Sequence, residues 1–443
     1  MSSQPFGKFN LDALRAEAYR VLQLNNRGEF TTPSPYQYPH QWNWDAAFMA
    51  LGWAHFDLAR ARTEIRSLLR AQWRNGMVPH IIYHHGASDY FPPPEFWQTQ
   101  NLAHGGDVLS SGLTQPPVLA SIVRRIYERF SHDADGKNFL REIFPRILNW
   151  HRWLHTARAA DGTGLPCLIH PWESGTDNSP RWLAVLDNIE PFDLPAYTRR
   201  DMTHVHPDER PRPQDYERFV FLIDRGRRVG WDDAHILREH PFLVQDVMFC
   251  AILHQADQDL LFLADALGEA TNEMEEWLET TREVFNARFW HDERGLYLDY
   301  DVRAAAPIFV NTCATFAPLY AGLGSRAQAE RLLQAHYDNP REYAPGDDST
   351  YRVPSTAKTE PAYAPRRYWC GPVWMMTNWL MIHGLQRYGF HAQARELLAS
   401  SLELLDGRGL REYYDPHDGA GLGGKDFAWT AGLALDLAEI AAG

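Results

Sequence analysis

The feature that most constrains the fold is a helical spacing of apolar residues that recurs along almost the whole of this 443-residue chain. Apolar side chains return every three or four positions, which is the period of a helix buried along one face. Twelve segments show it, at about 10 to 24, 43 to 55, 57 to 74, 115 to 130, 136 to 157, 242 to 266, 269 to 289, 311 to 322, 325 to 337, 371 to 387, 391 to 405 and 426 to 441. The chain is therefore predicted to be all-α.

The predicted helices alternate between two kinds. WNWDAAFMALGWAHF and GPVWMMTNWLMIHGL are apolar on nearly all sides, whereas RTEIRSLLRAQWRNG and HAQARELLASSLELL carry one apolar stripe. A helix that is apolar all round must be buried, and an amphipathic helix covers it from outside. Twelve alternately inner and outer helices predict an (α/α)6 barrel. No linker rich in Pro, Gly or Ser divides the chain, so a single domain over 1 to 443 is predicted.

Two long insertions interrupt the helices, at about 76 to 114 and 159 to 240. Both are rich in Pro, His, Arg and aromatic residues. Long irregular segments in a compact domain usually serve as lids or binding loops, so we expect these two to cover one end of the barrel. The short segment GLYLDYDV, 295 to 302, predicts a strand or hairpin at that rim.

The composition narrows the class of partner. The formal net charge is −14, which argues against binding to nucleic acid or to anionic membrane surfaces. Aromatic residues make up 13% of the chain and include 16 Trp. Because Trp and Tyr offer flat faces on which sugar rings stack, we expect a small-molecule ligand. Whether the chain forms a homo-oligomer is left open.

Location and metal content are also predicted. The first residues, MSSQPFGKFNLDALRAEAYRVL, lack the apolar core of a signal peptide, and no window approaches eighteen uninterrupted apolar residues. A cytoplasmic location follows. Cys167, Cys250, Cys313 and Cys370 lie far apart without a CxxC pair, which predicts reduced thiols rather than a zinc site. We expect no metal and no cofactor.

Two acidic stretches are candidates for chemistry. PWESGTDNSPRW, 171 to 182, has too many turn formers for an ordinary helix and predicts a rigid loop leading into a helix near Arg181. Asp177 stands there among tryptophans, where poor solvation would raise its pKa and make it an acid near neutral pH. The alternative is that Asp177 caps the helix that begins near Pro180.

The second acidic stretch is LREYYDP, 410 to 416, in which Glu412 precedes two tyrosines. Glycoside hydrolysis needs two carboxyl groups on opposite sides of the sugar ring. Asp177 and Glu412 come from distant loops, as expected if they flank a pocket from opposite walls. The alternative is that Glu412 is a surface acid.

Other stretches could form the walls of such a pocket. In YPHQWNWDAAF, Trp42 and Asp45 are three apart and would share a helix face. In RRYWCGPVW, Trp369 and Trp374 flank a helix start at Pro372, which predicts a pocket wall or a packed mouth. Both stretches could equally be core.

Two charged segments also allow either a functional or a purely structural interpretation. The segment 198 to 219 clusters arginines in an acidic protein, and Arg grips carboxylates with paired hydrogen bonds; the alternative is a solvated loop. Asp299 and Asp301 could bind a cation or could lie in a solvated turn.

Together the motifs resemble the bacterial mannosylglycerate and glucosylglycerate hydrolases of glycoside hydrolase family 63. The matching stretches are YPHQWNWDAAF, AQWRNGMVPHI, SGLTQPPV, HPWESGTDNSPRW, ERPRPQDYERF, YWCGPVW and REYYDP, in that order. The resemblance implies an (α/α)6 barrel and an inverting, exo-acting hydrolysis of an α-glycosidic bond, without a cofactor. The implied substrate is a small glycoside such as glucosylglycerate or mannosylglycerate.

The resemblance also implies roles for individual residues. Asp177 matches the general acid and Glu412 the general base. The implied substrate-binding residues are Tyr38, Trp42, Asp45, Tyr90, Gln115, Trp172, Gly175, Arg210, Tyr216, Tyr368, Trp374 and Trp429. Among these, Arg210, Tyr90, Tyr216 and Tyr368 match positions that hold the glycerate carboxylate. Phe427 stands where the family pattern has Gln, and Cys370 where it has Arg, so the leaving group is less constrained than the reaction.

Three alternative functions make different demands on the same residues. An α-glucosidase of neutral disaccharides, of the trehalose or kojibiose type, would leave Arg210 a structural role. A sugar epimerase or isomerase on the same barrel would bring histidines such as His151 or His254 to the pocket and leave Asp177 and Glu412 apart. A sugar-binding protein without activity would not need both carboxylates.

Overall fold

The computed structural model describes residues 6–84, 90–130, 134–203 and 205–443, and this part of the chain has sixteen α-helices. They are α1 (Leu11–Asn25), α2 (Asn43–Ala54), α3 (Leu58–Arg70), α4 (Pro94–Trp97), α5 (Leu119–Phe130), α6 (Ala134–Ala157), α7 (Leu183–Asp187), α8 (Pro213–Arg228), α9 (Asp233–Glu239), α10 (Val247–Leu267), α11 (Asn272–Phe289), α12 (Ala317–Ala321), α13 (Arg326–Leu332), α14 (Met375–Arg387), α15 (His391–Arg408) and α16 (Ala428–Ala442). Each of the twelve predicted segments contains one of them, which confirms a helix-rich chain.

The predicted division into buried and amphipathic helices is also confirmed. All residues of α2 are buried, whereas α3 buries only one side. Helix α2 packs on α5, α5 on α10, α10 on α12, α12 on α14, α14 on α16, and α16 returns to α2. The last contact is very close, because a Cβ added to Gly52 would lie 2.5 Å from Cα of Gly432. Helices α1, α3, α11 and α15 pack on this set.

Helix α10 is the most apolar long helix of the described residues. By length and composition alone Val247–Leu267 could cross a membrane, but 83% of its apolar window is buried within the protein. It packs against α5, α6, α11 and α12. Asp246 caps its start by accepting from the backbone N–H groups of Met248 and Phe249. These contacts make it a core helix.

The insertion at 159 to 240 is less irregular than predicted. The segment contains α8, of 16 residues, together with α7 and α9. Tyr216, Phe219, Val220 and Ile223 are buried on one side of α8, at helical spacing. The arginines and acids around them hid this stripe in the sequence. Pro213 at the first position suits the helix start.

Nine short strands, all paired antiparallel, accompany the helices of the described residues. They are β1 (Gln41–Trp42) with β2 (Ile81–Ile82), β6 (Asp299–Asp301) between β3 (Val244–Gln245) and β7 (Ala306–Ile308), β4 (Trp290–His291) with β5 (Leu296–Tyr297), and β8 (Arg411–Tyr414) with β9 (Gly421–Lys425). The strand prediction for 295 to 302 is confirmed by β5 and β6. Strand β1 leads into α2 and the β8–β9 hairpin precedes α16, so both strand pairs lie at the start of a buried helix. All four cysteines are free and buried.

Candidate active site

One cavity collects every site residue predicted from the sequence. Its empty space, counted out to the open solvent, is about 760 Å³. The predicted residues that line it are Tyr38, Trp42, Asp45, Tyr90, Gln115, Trp172, Gly175, Asp177, Arg210, Tyr216, Tyr368, Trp374, Glu412 and Trp429. Also lining it are Pro33, Trp44, His80, Asp201, Pro211, Trp369 and Phe427. Trp369 was predicted as a pocket wall, and Phe427 was singled out as a departure from the family pattern. Trp44 and Pro211 adjoin predicted residues, and proximity was the only signal that could have found them.

The prediction of a loop at 171 to 182 that leads into a helix is confirmed. It consists of two 3-10 turns, Pro171–Ser174 and Pro180–Trp182, followed by α7. Between the turns Gly175 has φ +71°, and a Cβ there would lie 2.3 Å from the indole of Trp44. Only glycine combines this backbone conformation with so close an approach.

The two carboxylates of this loop, Glu173 and Asp177, have different roles. Glu173 is fully buried and turned away from the cavity. It accepts two hydrogen bonds from Arg158, at 2.8 and 2.9 Å, and others from the backbone N–H groups of Ile169 and Thr114. Glu173 therefore anchors the loop, while Asp177 lines the cavity.

A second anchor of the loop is Arg181. Its guanidinium donates to Asp299 at 2.8 Å, to Asp246 at 3.1 Å and to Thr176 at 2.8 Å. The solvated-turn interpretation of Asp299 is therefore wrong, because that carboxylate is buried against Arg181. Asp301 accepts from the backbone N–H groups of the following turn.

Asp177 has the setting of a carboxylic acid that stays protonated near neutral pH. Burial raises its pKa to about 7, although the hydrogen bond from Tyr368 and the charge of Arg210 oppose the shift. The Tyr368 hydroxyl donates to Oδ2 of Asp177 at 3.2 Å. The alternative of a helix cap is wrong, because the cap position of the following turn is Ser179.

Glu412 lies in β8 and is only 1% exposed, so the surface-acid alternative is wrong. The Tyr38 hydroxyl donates to Oε1 at 2.8 Å, and the backbone N–H of Gly424 in β9 donates to Oε2 at 2.7 Å. Arg210 Nη2 donates to Oε2 at 2.9 Å. These three donors fix the orientation of the Glu412 carboxyl group at the cavity wall, and a general base must be held in this way to reach its proton.

Arg210 is the only Lys or Arg among the described residues that line the cavity. It is buried, and Nη1 donates to the Tyr38 hydroxyl at 2.9 Å while Nη2 binds Glu412. Its guanidinium also lies 4.7 Å from the ring centroid of Tyr368. The solvated-loop alternative is therefore wrong for this arginine. Its Nε is buried without a hydrogen-bond partner.

The remaining wall is aromatic with a few polar groups. Trp374 stacks on Trp369 with ring centroids 3.8 Å apart, and Tyr38 and Tyr90 meet the Trp42 ring edge-on at 5.1 and 5.2 Å. Helix α14 begins at Met375, later than predicted, so both tryptophans of YWCGPVW precede it. The aromatic faces and their polar neighbours suit a sugar ring, which has both apolar faces and hydroxyls.

Two polar groups complete this wall. Asp45 lies in the first turn of α2, just after Trp42 ends β1, and burial together with the charge of Glu412 raises its pKa well above the usual range. Gln115 accepts from the backbone N–H of Trp44 at 3.4 Å. Asp45 and Gln115 thus place a carboxyl and an amide in the cavity.

The histidines required by an epimerase are elsewhere. His151 binds Asp257 at 2.7 Å between α6 and α10, and neither His151 nor His254 lines the cavity. His80, which was not predicted, does line it; its Nδ1 is 2.6 Å from the Ser111 hydroxyl. Because Asp177 and Glu412 share the cavity, the arrangement is that of a hydrolase rather than of a histidine-based isomerase.

Comparison with known proteins gives a consistent result. Residues 38–430 match the family described as the mannosylglycerate hydrolase MGH1-like glycoside hydrolase domain. The mannosylglycerate hydrolase of Thermus thermophilus is 44% identical over 420 residues, which cover 95% of this chain and 99% of that protein. The glucosylglycerate hydrolase of Mycolicibacterium hassiacum is 37% identical over 439 residues, which cover 97% and 98%.

A solved structure agrees over the same length. The crystal structure of the GH63 mannosylglycerate hydrolase from Thermus thermophilus in complex with Tris and D-glycerate has a TM-score of 0.89 to this chain at 44% identity, covering 95% of this chain and 99% of that one. Sequence, fold and cavity therefore agree. The chain belongs to the MGH1-like mannosylglycerate hydrolases of glycoside hydrolase family 63 and is a glycoside hydrolase.

Proposed function

We propose that this enzyme is an exo-acting, inverting α-glycosidase that hydrolyses glucosylglycerate or mannosylglycerate to free sugar and glycerate. The observation that carries the proposal is the cavity itself, where Asp177 and Glu412 face one aromatic-lined space together with one buried arginine. The names of the relatives from Thermus thermophilus and Mycolicibacterium hassiacum support the choice of substrate. So does the D-glycerate bound in the similar crystal structure.

Asp177 is the proposed general acid. With its pKa raised to about 7, it is protonated over much of the physiological range and gives its proton to the glycosidic oxygen as the bond to the anomeric carbon breaks. The glycosidic oxygen thereby becomes a hydroxyl group of the departing glycerate. Asp177 is left ionised and regains a proton from solvent.

Glu412 is the proposed general base. It takes a proton from a water that attacks the anomeric carbon on the face opposite to the leaving oxygen, and the water oxygen becomes the new anomeric hydroxyl. An α-glycoside therefore gives the β-anomer first. The hydrogen bonds from Tyr38 and Gly424 orient the carboxylate for this step.

The sugar is proposed to bind against Trp42, Trp172, Trp374 and Trp429, with Asp45, Gln115 and Gly175 reaching its hydroxyls. Trp429 supports this, because its indole N–H is buried without a hydrogen-bond partner in a wall of the cavity. A buried donor without a partner costs about 1 to 3 kcal/mol, and a sugar hydroxyl would satisfy it.

The carboxylate of glycerate is proposed to bind Arg210, with Tyr90, Tyr216 and Tyr368 around it. Arg210 has N–H groups to spare, since Nε is unpartnered. Asp201, which also lines the cavity, is paired with Arg199 at 2.6 and 3.0 Å, which reduces its repulsion of an anionic ligand.

The architecture that houses this site is proposed to be a single (α/α)6 domain over residues 1 to 443. The circuit of contacts from α2 through α5, α10, α12, α14 and α16 supports an inner ring of six helices. The segments 76–114 and 159–240 are proposed to roof one end, since Tyr90, Trp172, Asp177, Arg210 and Tyr216 come from them. A cytoplasmic location, without nucleic-acid or membrane partners, completes the proposal.

One observation favours a second candidate function. Arg210 is already engaged with Glu412 and Tyr38, and Phe427 places an apolar ring in the cavity. An α-glucosidase of neutral disaccharides would use Arg210 only to hold Glu412. The two functions differ in whether the aglycone must carry a negative charge.

The test is to incubate the enzyme separately with glucosylglycerate, mannosylglycerate, trehalose and kojibiose and to follow the released sugar by NMR, with Asp177→Ala as the control. Initial release of the β-anomer from a glycerate glycoside, absent in the control, is the expected result. Release from a disaccharide alone would replace the proposed substrate by the second candidate. Release of the α-anomer would overturn the inverting mechanism.

A further inference from the structure

Two distant segments, 177–178 and 368–370, are joined by four hydrogen bonds beside the proposed general acid. The Tyr368 hydroxyl donates to Asp177 at 3.2 Å, and the backbone N–H of Trp369 donates to Oδ1 of Asn178 at 2.9 Å. Nδ2 of Asn178 lies 3.5 Å from Sγ of Cys370, and that thiol donates to the Asn178 carbonyl at 3.3 Å. The buried Asn178 side chain thus uses both ends of its amide on the other segment.

Asn178 itself does not line the cavity, whereas its neighbours in this arrangement, Asp177, Tyr368 and Trp369, do. Any effect of Asn178 on the reaction must therefore pass through one of them. Asn178 is joined to Asp177 by a peptide bond, and its side chain gives a second route through the backbone of Trp369 to Tyr368, whose hydroxyl binds the acid.

The backbone of Tyr368 needs such support. Its φ is +39°, a region that residues other than glycine rarely adopt and that costs on the order of 1 to 3 kcal/mol. Two contacts hold the peptide group between Tyr368 and Trp369, directly after the strained residue. Asn178 accepts from the N–H of Trp369, and the indole N–H of Trp374 donates to the Tyr368 carbonyl at 3.0 Å. Loss of the Asn178 contact would let the backbone relax and withdraw the hydroxyl.

We propose that Asn178 is a positioning residue for the general acid, which holds the 368–370 backbone so that the Tyr368 hydroxyl stays on Asp177. The proposal rests on the proposed role of Asp177. The hydrogen bond fixes the carboxyl toward the leaving oxygen, and it also opposes the rise in the pKa of Asp177 caused by burial. Losing Asn178 should therefore impair proton donation and leave the base step intact.

The test compares two substrates for Asn178→Ala. One is the glycerate glycoside that the wild type hydrolyses, and the other is the α-glycosyl fluoride of the same sugar, whose fluoride leaves without a proton from the acid. We expect kcat on the glycerate glycoside to fall about tenfold or more, and kcat on the fluoride to stay within about twofold. The alkaline limb of the kcat/KM profile should move to higher pH, because a hydrogen bond that lowers the pKa of Asp177 is lost.

Three further variants make the result decisive. Asn188→Ala is the matched control and should change neither rate, because Asn188 is exposed and its side-chain amide donates to the Ala184 carbonyl. In a Tyr368→Phe background Asn178→Ala should add less than about a twofold loss, since both act through one hydrogen bond. Cys370→Ala, which removes the thiol contact of the Asn178 amide, should reproduce the same selectivity at smaller size even if Asn178→Ala does not fold.

Equal losses on both substrates, or losses that multiply in the double variant, would overturn the positioning role and leave Asn178 as a purely structural residue. Asp177→Asn separates this from a failure of the proposed function. This variant must lose activity on the glycerate glycoside and keep its activity on the α-glycosyl fluoride. If it does not, the assignment of Asp177 as the acid fails, and the positioning role of Asn178 fails with it.

Discussion

Arg210 and Glu412 form a buried ion pair across the candidate active site, with Nη2 2.9 Å from Oε2 and both side chains 2% exposed. They come from segments more than 200 residues apart. Tyr38 joins both, since its hydroxyl accepts from Arg210 and donates to Glu412. The only cation of the described cavity lining is therefore shared between the proposed base and the proposed anionic aglycone.

Replacing Arg210 should separate charged from neutral substrates. For Arg210→Gln we expect kcat/KM on the glycerate glycoside to fall about 10- to 100-fold more than on the α-glycosyl fluoride of the same sugar, because a hydrogen bond to a charged group contributes about 1.5 to 3 kcal/mol. Steady-state kinetics on both substrates measures this. Arg238→Gln, an exposed arginine paired with Glu239, is the matched control. Equal losses on both substrates would mean that Arg210 serves only Glu412.

Glu412→Gln should abolish the base step while keeping the shape of the site. Base catalysis contributes about 10²- to 10⁴-fold, so kcat should fall by that order on both the glycerate glycoside and the fluoride. Added azide, which attacks without a base, should restore turnover of the fluoride and give the β-glycosyl azide. Product analysis by NMR checks this, and formation of the α-azide would contradict an inverting geometry.

The pH dependence of activity should follow Asp177. Since its pKa is raised to about 7, kcat/KM should decline as the pH rises through about 7, where the acid loses its proton. A profile of kcat/KM measures this limb. The fluoride does not need the acid, so its profile should lack the limb. A limb of the same position on both substrates would assign it to another group.

Asp177 should also make stability depend on pH. Its pKa in the folded protein, about 7, lies above the ordinary 3.8, so the unfolded chain loses this proton first. The carboxyl contributes stability fully below about pH 4, and this contribution is lost as the pH rises to about 7. Asp177→Asn cannot ionise and should therefore have a higher Tm than the wild type at pH 8. The difference should vanish at pH 4, and a difference that does not depend on pH would rule out this linkage.

The other carboxylate of the loop should behave in the opposite way. Glu173→Gln removes the nearest carboxylate from the buried Arg158, at 2.8 Å, and leaves Asp233 at 3.8 Å as its remaining ion pair, which should cost up to about 3 to 5 kcal/mol. We expect a lower Tm for Glu173→Gln at pH 8, where Asp177→Asn raises it. Thermal unfolding of both variants beside the wild type gives the comparison. If Glu173→Gln left the Tm unchanged, the result would show that Arg181 alone holds the loop.

Gly175 should tolerate no side chain. Gly175→Ala adds a Cβ that would lie 2.3 Å from the Trp44 indole, at a φ of +71°, and should lower both Tm and kcat because the loop carries Asp177. Gly162→Ala is the matched control, since Gly162 has φ +75° with nothing within 4 Å of the added carbon. Gly162→Ala therefore measures the effect of the strained backbone alone, without a clash of the added carbon. An equal loss of activity in both variants would show that contact with Trp44 is unimportant.

The helices could be predicted from the sequence because their signal is local. Apolar spacing and the contrast between α2, buried all round, and the one-sided α3 follow from which residues must leave water. Helix α8 escaped prediction because charged residues surround its apolar stripe, and only packing against the rest of the chain shows which side is buried. The strands of the β8–β9 hairpin are equally local but too short to stand out.

The candidate site also has a part that could be predicted from the sequence and a part that could not. The motifs around Asp177 and Glu412, together with the family resemblance, were enough to name most of the residues that line the cavity. The partners of those residues could not be named, because the ion pair of Glu412 with Arg210, the bond of Tyr368 to Asp177 and the opposite roles of Glu173 and Asp177 depend on contacts between distant segments. Sequence alone thus determined most of the helices and the candidate chemistry. Tertiary structure decided charge and orientation, since burial and the nearest donor set the pKa and direction of each carboxyl group.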